Sequence, residues 1–315
     1  MERKMLSFVI PCYRSEHTVE DVINEIIQVV NQRASEYDYE IIAVNDCSPD
    51  NVYHTLTHIA EQNSKVKVID LALNGGKHVA LMAGFANVSG DIVVGVDDDG
   101  QCPIEQLWNL LEPLKNGYDM AMAQYPQKTQ TLLKNMGSKL NDYMVRSLIG
   151  KPKGLVFTNF IARKRFVCDE IIRYKNPYPY LEGLTLHTTK NIASVPMKER
   201  ERQQGKSGYT LKKSIALWMN GCTAFSVKPL RIATVFGIFF SIIGFAMGVI
   251  FIILQFINTN IEHILVIAVM LFLGGIIMLL MGIMGEYIGR IYICINNSPQ
   301  YVIREKINFD SILDK

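Results

Sequence analysis

The sequence lacks the cysteine spacing of a metal or disulfide scaffold. Its six cysteines are scattered and include no C-x-x-C pair, which fits a reduced compartment and argues against a zinc site or a disulfide framework. It also lacks an excess of charge of one sign, because 32 Lys and Arg nearly balance 30 Asp and Glu. A strongly basic nucleic-acid-binding protein is therefore not expected.

Charge is absent altogether from two long C-terminal stretches. Residues 232–257 and 264–285 contain no Asp, Glu, Lys or Arg, and each is long enough for the roughly 20 apolar residues of a membrane-spanning helix. The linker at 258–263 has no Lys or Arg, whereas Lys228 and Arg290 flank the pair. Basic flanks predict a hairpin whose two ends both face the cytosol. A buried hairpin of a soluble protein is the alternative interpretation.

The first 125 residues alternate short apolar runs with segments of helical periodicity, which predicts a doubly wound, mostly parallel α/β sheet. No signal peptide is visible, because residues 1–5 are charged and lead directly into a strand, so this part is expected in the cytosol. A further strand is predicted at Leu155–Ile161. The first five predicted strands are Leu6–Ile10, Glu40–Val44, Val66–Leu71, Gly90–Val96 and Met120–Ala123.

The fourth predicted strand ends abruptly in three acidic residues, within GDIVVGVDDDGQCP at 90–103. Three adjacent carboxylates repel one another, so a positive group is expected beside them. Asp97, Asp99 and Gln101 offer the hard oxygen ligands that suit Mg²⁺ or Mn²⁺. A solvated acidic turn that caps the next helix is the alternative interpretation.

The loops after the other strands carry Tyr13, Asp46, Gly76 and Lys77. Parallel strands end at the same edge of a sheet, and ligands bind there in open α/β folds. These residues therefore predict a nucleotide site next to the acidic turn. Taken alone, Asp46 could cap the following helix, and the Gly75–Gly76 pair could form a plain turn.

Two amphipathic segments, at about 131–149 and 211–227, precede the apolar stretches. Each could lie in the membrane interface, although the first could also be an ordinary core helix. The polar, glycine-containing segment at 198–209 predicts a loop between them. The predicted order is a cytosolic domain at 1–210, an interfacial helix at 211–227, a hairpin at 228–292 with spans of about 232–257 and 264–288, and a cytosolic tail at 293–315.

Seven motifs stand out along the chain. They are FVIPCYRSE at 8–16, VNDCSPDN at 44–51, LNGGKHVALMAGF at 73–85, GDIVVGVDDDGQCP at 90–103, RQQGKSGY at 202–209, PLR at 229–231 and GEYIGRIY at 285–292. Taken together in this order, they resemble the inverting family-2 glycosyltransferases of GT-A fold that use a polyprenyl-phosphate acceptor. Within that family the chain is most similar to the branch of bactoprenol glucosyltransferases and undecaprenyl-phosphate aminoarabinose transferases. Dolichol-phosphate mannose synthases are more distantly similar.

The resemblance implies a nucleotide-sugar donor, UDP being the usual nucleotide of this branch. Pro11, Tyr13 and Asp46 would hold the base and ribose. The residues that would bind Mg²⁺ or Mn²⁺ on the donor diphosphate are Asp97, Asp99 and Gln101.

The resemblance also implies an acceptor site. Lys134 and Ser138, which share one helical face, fall where mannose synthases have an Arg and a Ser for the acceptor phosphate. Arg202, Ser207 and Tyr209 would close over the site and meet the phosphates. Relatives form tetramers, so a homo-oligomer in the inner or plasma membrane is expected.

Four departures leave the nucleotide and the sugar open. Arg14-Ser15 replaces the usual Asn-Glu after the first strand, and Asn45 replaces the first Asp of an Asp-Asp pair. Tyr125 stands where an Arg often follows the fifth strand, and the loop reads GKSGY instead of GESKY.

A phosphate acceptor is largely ionised at neutral pH, so the reaction needs cations more than a general base. Asp98 or Asp99 could act as a base, but neither is required. A transferase for a hydroxyl lipid, such as diacylglycerol or a ceramide, would need one. A non-catalytic membrane binder of sugar nucleotides is the second alternative.

Overall fold

The computed structural model describes residues 3–126, 146, 150–152, 154–177, 179–198, 200, 235, 237–240, 242–246, 249–250, 253, 263–296 and 298–309. The chain divides into two compact units. The first contains Met1–Leu211 together with Ser298–Lys315, and the second contains Lys212–Asn297.

The described part of the first unit is built on one eight-stranded sheet with helices between the strands. The strands are β1 (Lys4–Cys12), β2 (Tyr37–Asn45), β3 (Val66–Leu71), β4 (Ile92–Gly95), β5 (Met120–Gln124), β6 (Ile161–Lys164), β7 (Ile192–Pro196) and β8 (Ile303–Ile307). The helices are α1 (Val19–Asn31), α2 (Val52–Gln62), α3 (Lys77–Phe85), α4 (Leu107–Lys115), α5 (Arg165–Ile171) and α6 (Leu181–Thr188).

The strand order is β7-β5-β6-β4-β1-β2-β3-β8. β1, β2, β3 and β4 pair in parallel, as predicted, whereas β6 is antiparallel to both β4 and β5. The central strands are buried on both faces, which is why they read as continuous apolar runs such as Ile41–Val44. This arrangement brings the ends of β1 to β4 to one edge of the sheet.

The strand predicted at Leu155–Ile161 is wrong in position, because β6 begins only at Ile161. The apolar side chains of Leu155 and Phe160 are buried, but the segment between them is not part of the ladder. Thr158 instead donates its hydroxyl to the carbonyl of Ala123 at 2.8 Å. The apolar pattern therefore contains two buried residues, Leu155 and Phe160, and an exposed one, Val156, but no strand before Ile161.

Part of the segment at 293–315, which the sequence predicts to be a tail, belongs to the sheet. Residues Ile303–Ile307 form β8, which pairs antiparallel with β3 as the outermost strand of the sheet. The alternation of IREKI, with its three charged residues, does not look like a core strand. It is an edge strand, whose outward side chains are expected to be polar.

The second unit contains α7 (His263–Ile295), 33 residues long. Its window Phe272–Gly289 has a mean hydropathy of 1.7 and no part of it is buried inside the structure. Among the described residues, α7 is the one helix long and apolar enough to cross a membrane. A shorter apolar helix at Gly237–Ala246 packs against it, with the rings of Phe240 and Phe272 at 5.6 Å.

A buried carboxylate links the amino-terminal parts of the parallel strands. Glu40 of β2 is only 2% exposed and accepts bonds from Lys67 Nζ at 2.7 Å, Ser7 Oγ at 2.5 Å and the Ser89 amide at 2.5 Å. Burial by itself raises the pKa of Glu40, but these three donors together lower it below its ordinary value. The pair with Lys67 therefore joins β2 and β3 as a charged pair at neutral pH.

We expect Glu40→Gln to lower the free energy of unfolding by about 3 kcal/mol, because it leaves buried donors without their charged acceptor. The matched control on the same strand is Asp38→Asn. Asp38 pairs with Lys65 at 2.5 Å, but those side chains are 36% and 45% exposed, so its loss should cost less than about 1 kcal/mol. Denaturant unfolding of the purified variants in detergent measures both, and equal losses would contradict this account.

Candidate active site

The acidic turn after β4 is held by side chains from two other segments. Asp97 accepts a bond from Lys77 Nζ at 2.5 Å and another from Asn159 Nδ2 at 2.5 Å. Lys77 is the first residue of α3, and Asn159 lies just before β6. The positive group that the sequence predicts beside the three carboxylates is therefore present, and it is Lys77.

Asp98 is the carboxylate that joins this turn to the loop after β1. Its Oδ2 accepts the backbone N–H of Tyr13 at 3.0 Å, and its carbonyl accepts the hydroxyl of Thr18 at 2.6 Å. Burial raises the pKa of Asp98 to about 6, and the charges of Asp97 and Asp99 add to the rise. Asp98 thus positions Tyr13, whose side chain is 44% exposed at the sheet edge.

Asp99 and Gln101 form the end of the turn. The Asp99 carboxylate accepts the N–H of Gln101 at 3.1 Å, which closes a local turn. The Gln101 carbonyl accepts the N–H of Arg200 at 3.4 Å, and the Arg200 guanidinium pairs with Glu25 at 2.7 Å and with Glu105. Residue 200 is thereby fixed beside the acidic turn, two positions before the predicted phosphate ligand Arg202.

The oxygens of this turn fit a divalent cation that is completed by the substrate. Among the residues that the structure describes, no three His, Cys, Asp or Glu side chains form a ligand cluster. Mg²⁺ and similar ions need only one or two carboxylates when phosphate oxygens and water fill the other positions. Asp97, Asp99 and Gln101 lie within five residues on one turn, so they match that requirement and not that of a closed protein cage.

Asp46 braces a glycine loop and does not cap a helix. Its two carboxylate oxygens accept the backbone N–H groups of Gly75 and Gly76, each at 2.8 Å, and α2 begins later, after Asn51. Burial raises the pKa of Asp46, although the two amide bonds oppose the rise. Gly76 has φ of 83°, which favours glycine, and a Cβ on Gly75 would lie 2.4 Å from Val79 Cγ1.

The loops after β1 and β2 contain strained backbone that hydrogen bonds hold in place. Arg14 and Cys47 have φ of 57° and 47°, uncommon values for residues other than glycine. Ser48 Oγ accepts the N–H of Arg14 at 2.8 Å and donates to Asp50 at 2.5 Å. Hydrogen bonds therefore join the loop that carries Tyr13 to the loop that carries Asp46.

The remaining predicted site residues divide into two groups. Pro11 is buried in β1, where it lies opposite Val44 of β2 and beyond the last residue pair with β4, and Tyr125 packs beside the core after β5. The others lie outside the described residues: Lys134, Ser138, Arg202, Ser207 and Tyr209.

Two asparagines contribute to the site although the sequence patterns did not identify them. Asn159 binds Asp97, and Asn74 donates its amide to the Asp46 carbonyl at 2.8 Å. Asn159 precedes an antiparallel strand far along the chain, so no local pattern connects it to β4. Asn74 stands beside the glycine pair, and its position in that loop was the one available signal.

We expect Asp98→Asn to change how stability depends on pH in protein treated with a chelator. Because the folded pKa of Asp98 is about 6 and its ordinary value is 3.8, the folded state holds the proton more tightly, and the contribution of Asp98 to wild-type stability should fall as pH rises from 4 to 7. The variant avoids this loss, so it should gain about 2 kcal/mol relative to wild type over that range. Thermal unfolding at several pH values tests this, and parallel profiles would contradict it.

Comparison with protein-family models gives two matches. Glycosyl transferase family 2 matches residues 7–172, which contain most of β1, all of β2 to β6 and the whole acidic turn. The GtrB C-terminal hairpin matches residues 228–291. The two matched regions correspond to the sheet domain and to the unit that contains α7.

Individual proteins are similar over nearly the full length. The uncharacterized glycosyltransferase YkcC of Bacillus subtilis (strain 168) is 30% identical over 308 residues, covering 97% of this chain and 95% of that protein. The undecaprenyl-phosphate 4-deoxy-4-formamido-L-arabinose transferase of Enterobacter sp. (strain 638) is 28% identical over 312 residues, covering 98% and 95%.

A solved structure shares the fold of the sheet domain. Glucosyl-3-phosphoglycerate synthase from Mycobacterium tuberculosis, crystallised with Mn²⁺ and uridine-diphosphate-glucose, matches with a TM-score of 0.51 and 20% identity, covering 69% of this chain and 76% of that one. This likeness supports the GT-A fold. Since the family model covers more than half of the 315 residues, the chain belongs to glycosyl transferase family 2.

Proposed function

We propose that this protein transfers a sugar, with inversion, from a nucleotide-sugar donor to a polyprenyl phosphate at the cytosolic face of a membrane. The observation that carries the proposal is the convergence of the acidic turn, Lys77 and the Asp46-braced glycine loop at one sheet edge. A glycosyltransferase needs such a place for a sugar diphosphate and its cation, and these residues bring carboxylates and a lysine together there.

The donor is proposed to be a UDP-sugar that binds with Mg²⁺ or Mn²⁺. Tyr13 and Asp46 lie on the bonded loops after β1 and β2, where a base and ribose would fit. When bound on Asp97, Asp99 and Gln101, the cation would stabilise the charge of the departing nucleoside diphosphate. The mycobacterial synthase of the same fold holds Mn²⁺ and uridine-diphosphate-glucose, which is consistent with this choice.

The acceptor is proposed to be undecaprenyl phosphate or a similar lipid. Its support is the similarity to the undecaprenyl-phosphate 4-deoxy-4-formamido-L-arabinose transferases of Enterobacter sp. (strain 638) and Klebsiella pneumoniae (strain 342), each 28% identical to this chain. A phosphate monoester is already anionic at neutral pH, so it can attack without a general base. Lys134, Ser138, Arg202, Ser207 and Tyr209 are proposed to bind the phosphates of the acceptor and donor.

The described geometry gives Asp98 a role other than that of a general base. Asp98 has a raised pKa, as a base would need, but its carboxylate already accepts the N–H of Tyr13 at 3.0 Å. We therefore assign Asp98 to positioning Tyr13. The reaction then depends mainly on neutralising the negative charge at the site. Lys77 contributes to this, since its Nζ lies 2.5 Å from an Asp97 carboxylate oxygen.

The hairpin is proposed to cross the membrane twice, which would keep the enzyme beside its lipid acceptor. The length and unburied apolar surface of α7 support one crossing, and the uncharged stretch at 232–257 supports the other. The catalytic domain and both termini would then lie on the cytosolic side.

The direct test is to incubate the purified protein in detergent with undecaprenyl phosphate, Mg²⁺ or Mn²⁺ and a panel of sugar nucleotides, with lipid products identified by mass spectrometry. We expect wild type to make a polyprenyl-phosphate sugar and Asp99→Asn to lose at least about 100-fold in rate, since it removes a charge that holds the cation.

Asp91→Asn is the matched control, because Asp91 lies exposed just before β4, at the opposite end of the same strand, and it should retain the wild-type rate. Product from diacylglycerol or ceramide, in place of the phosphate lipid, would contradict the proposed acceptor. Nucleotide binding without any lipid product would favour the non-catalytic binder.

A further inference from the structure

The C-terminal strand β8 is the outermost strand beside β3, and its first residues lie at the end of the sheet that carries the active site. It is antiparallel to β3, so its first residues lie beside the last residues of β3, with Ile303 opposite Leu71. The bond from the Ala72 amide to the Val302 carbonyl, at 2.8 Å, continues this pairing past the strand end. The beginning of β8, which follows the hairpin in sequence, therefore lies beside the end of β3 at the end of the sheet that carries the active site.

Arg304 of β8 binds a carboxylate that is otherwise inside the protein. Its Nη1 lies 2.8 Å from Asp70 Oδ2, and its Nη2 donates to the Ala72 carbonyl at 3.4 Å. The Asp70 side chain is 1% exposed, whereas the Arg304 side chain is 57% exposed. A buried carboxylate needs charged or hydrogen-bonding partners, and Arg304 supplies the cationic one from the edge strand.

The other oxygen of Asp70 fixes the residue that opens the nucleotide loop. Asn45 Nδ2 donates to Asp70 Oδ1 at 2.7 Å. The side-chain oxygen Oδ1 of Asn45 therefore faces Ser48 and accepts its backbone N–H at 3.1 Å. An Asp at position 45 would place a second carboxylate against Asp70. The departure from the family's Asp-Asp pair therefore has a physical reason in this chain.

The same network continues into the strained loops. Ser48 binds the N–H of Arg14, and it also binds Asp50. Cys47, between Asp46 and Ser48, has φ of 47°, a conformation that persists when surrounding bonds hold it. A continuous series of bonds thus runs from Arg304 through Asp70 and Asn45 to the loops that carry Tyr13 and Asp46.

We propose that Arg304 is a positioning residue for nucleotide binding, acting through Asp70 and Asn45 on the loop at residues 45–50. It does not touch the nucleotide in this scheme. The loop takes its binding conformation only when β8 is paired with β3, so a strand made after the hairpin completes the donor site. The identity of the ligand rests on the function proposed above.

The test compares full-length Arg304→Gln with Arg304→Lys and with the control Lys306→Gln. Lys306 lies on the same strand but binds Asn87, at 2.6 Å, outside this network. We expect Arg304→Gln to speed amide hydrogen exchange at residues 45–50 without ligand and to raise the Kd for UDP with Mn²⁺ on the order of tenfold. Arg304→Lys should restore much of both, and Lys306→Gln should change neither.

A second variant separates positioning from folding. Asp70→Leu combined with Arg304→Met removes both charges, so neither variant side chain leaves an unpaired charge in the interior. We expect this variant to fold, measured by its unfolding temperature, but to show the same fast exchange and weak UDP binding, because Asn45 has lost its partner.

Three results would overturn the proposal: unchanged exchange and UDP affinity in Arg304→Gln, an equal loss in Lys306→Gln, or wild-type UDP affinity in the stable double variant. The exchange measurement needs no ligand. If wild type bound no nucleoside diphosphate, the proposed function would fail, and the exchange arm would still decide whether Arg304 orders the loop.

Discussion

The repulsion among Asp97, Asp98 and Asp99 is the constraint on which the rest of the site depends. These carboxylates are consecutive residues of the turn after β4, and part of the turn is buried, so their charges are poorly screened. The protein offsets them with Lys77 and with the amide of Asn159 at Asp97, and Asp98 responds with a pKa of about 6. A cation on this turn would relieve the remaining charge, and it would also bring an anionic donor to the edge.

The loops around the acidic turn are held by hydrogen bonds to backbone, and this gives them a defined shape before any ligand arrives. Asp46 holds Gly75 and Gly76, and Asp98 holds Tyr13. Such bonds fix where the loops lie, so little ordering is left for the moment of binding. The same carboxylates that make the edge acidic therefore also organise it.

The sequence predicted what depends on local pattern. The central strands were predicted correctly because runs such as Ile41–Val44 are buried on both faces. Since these strands are parallel, the sequence also predicted that Asp46 and Asp97 lie at the same end of the sheet. It did not predict β8 or the role of Asn159, because both depend on pairing between segments far apart in the chain, and IREKI has the charged pattern of an exposed edge. The strand predicted at Leu155–Ile161 was also wrong, because apolar residues there pack against the protein without pairing with a neighbouring strand.

Calorimetric titration of wild-type protein with UDP, with and without Mn²⁺, tests the central claim most directly. If the acidic turn is a cation site completed by a diphosphate, Mn²⁺ should tighten UDP binding by at least about tenfold, because the diphosphate otherwise meets three carboxylates. Equal affinity in chelator and in Mn²⁺ would contradict the account, since Asp97, Asp99 and Gln101 would then have no part in binding a cation together with the donor.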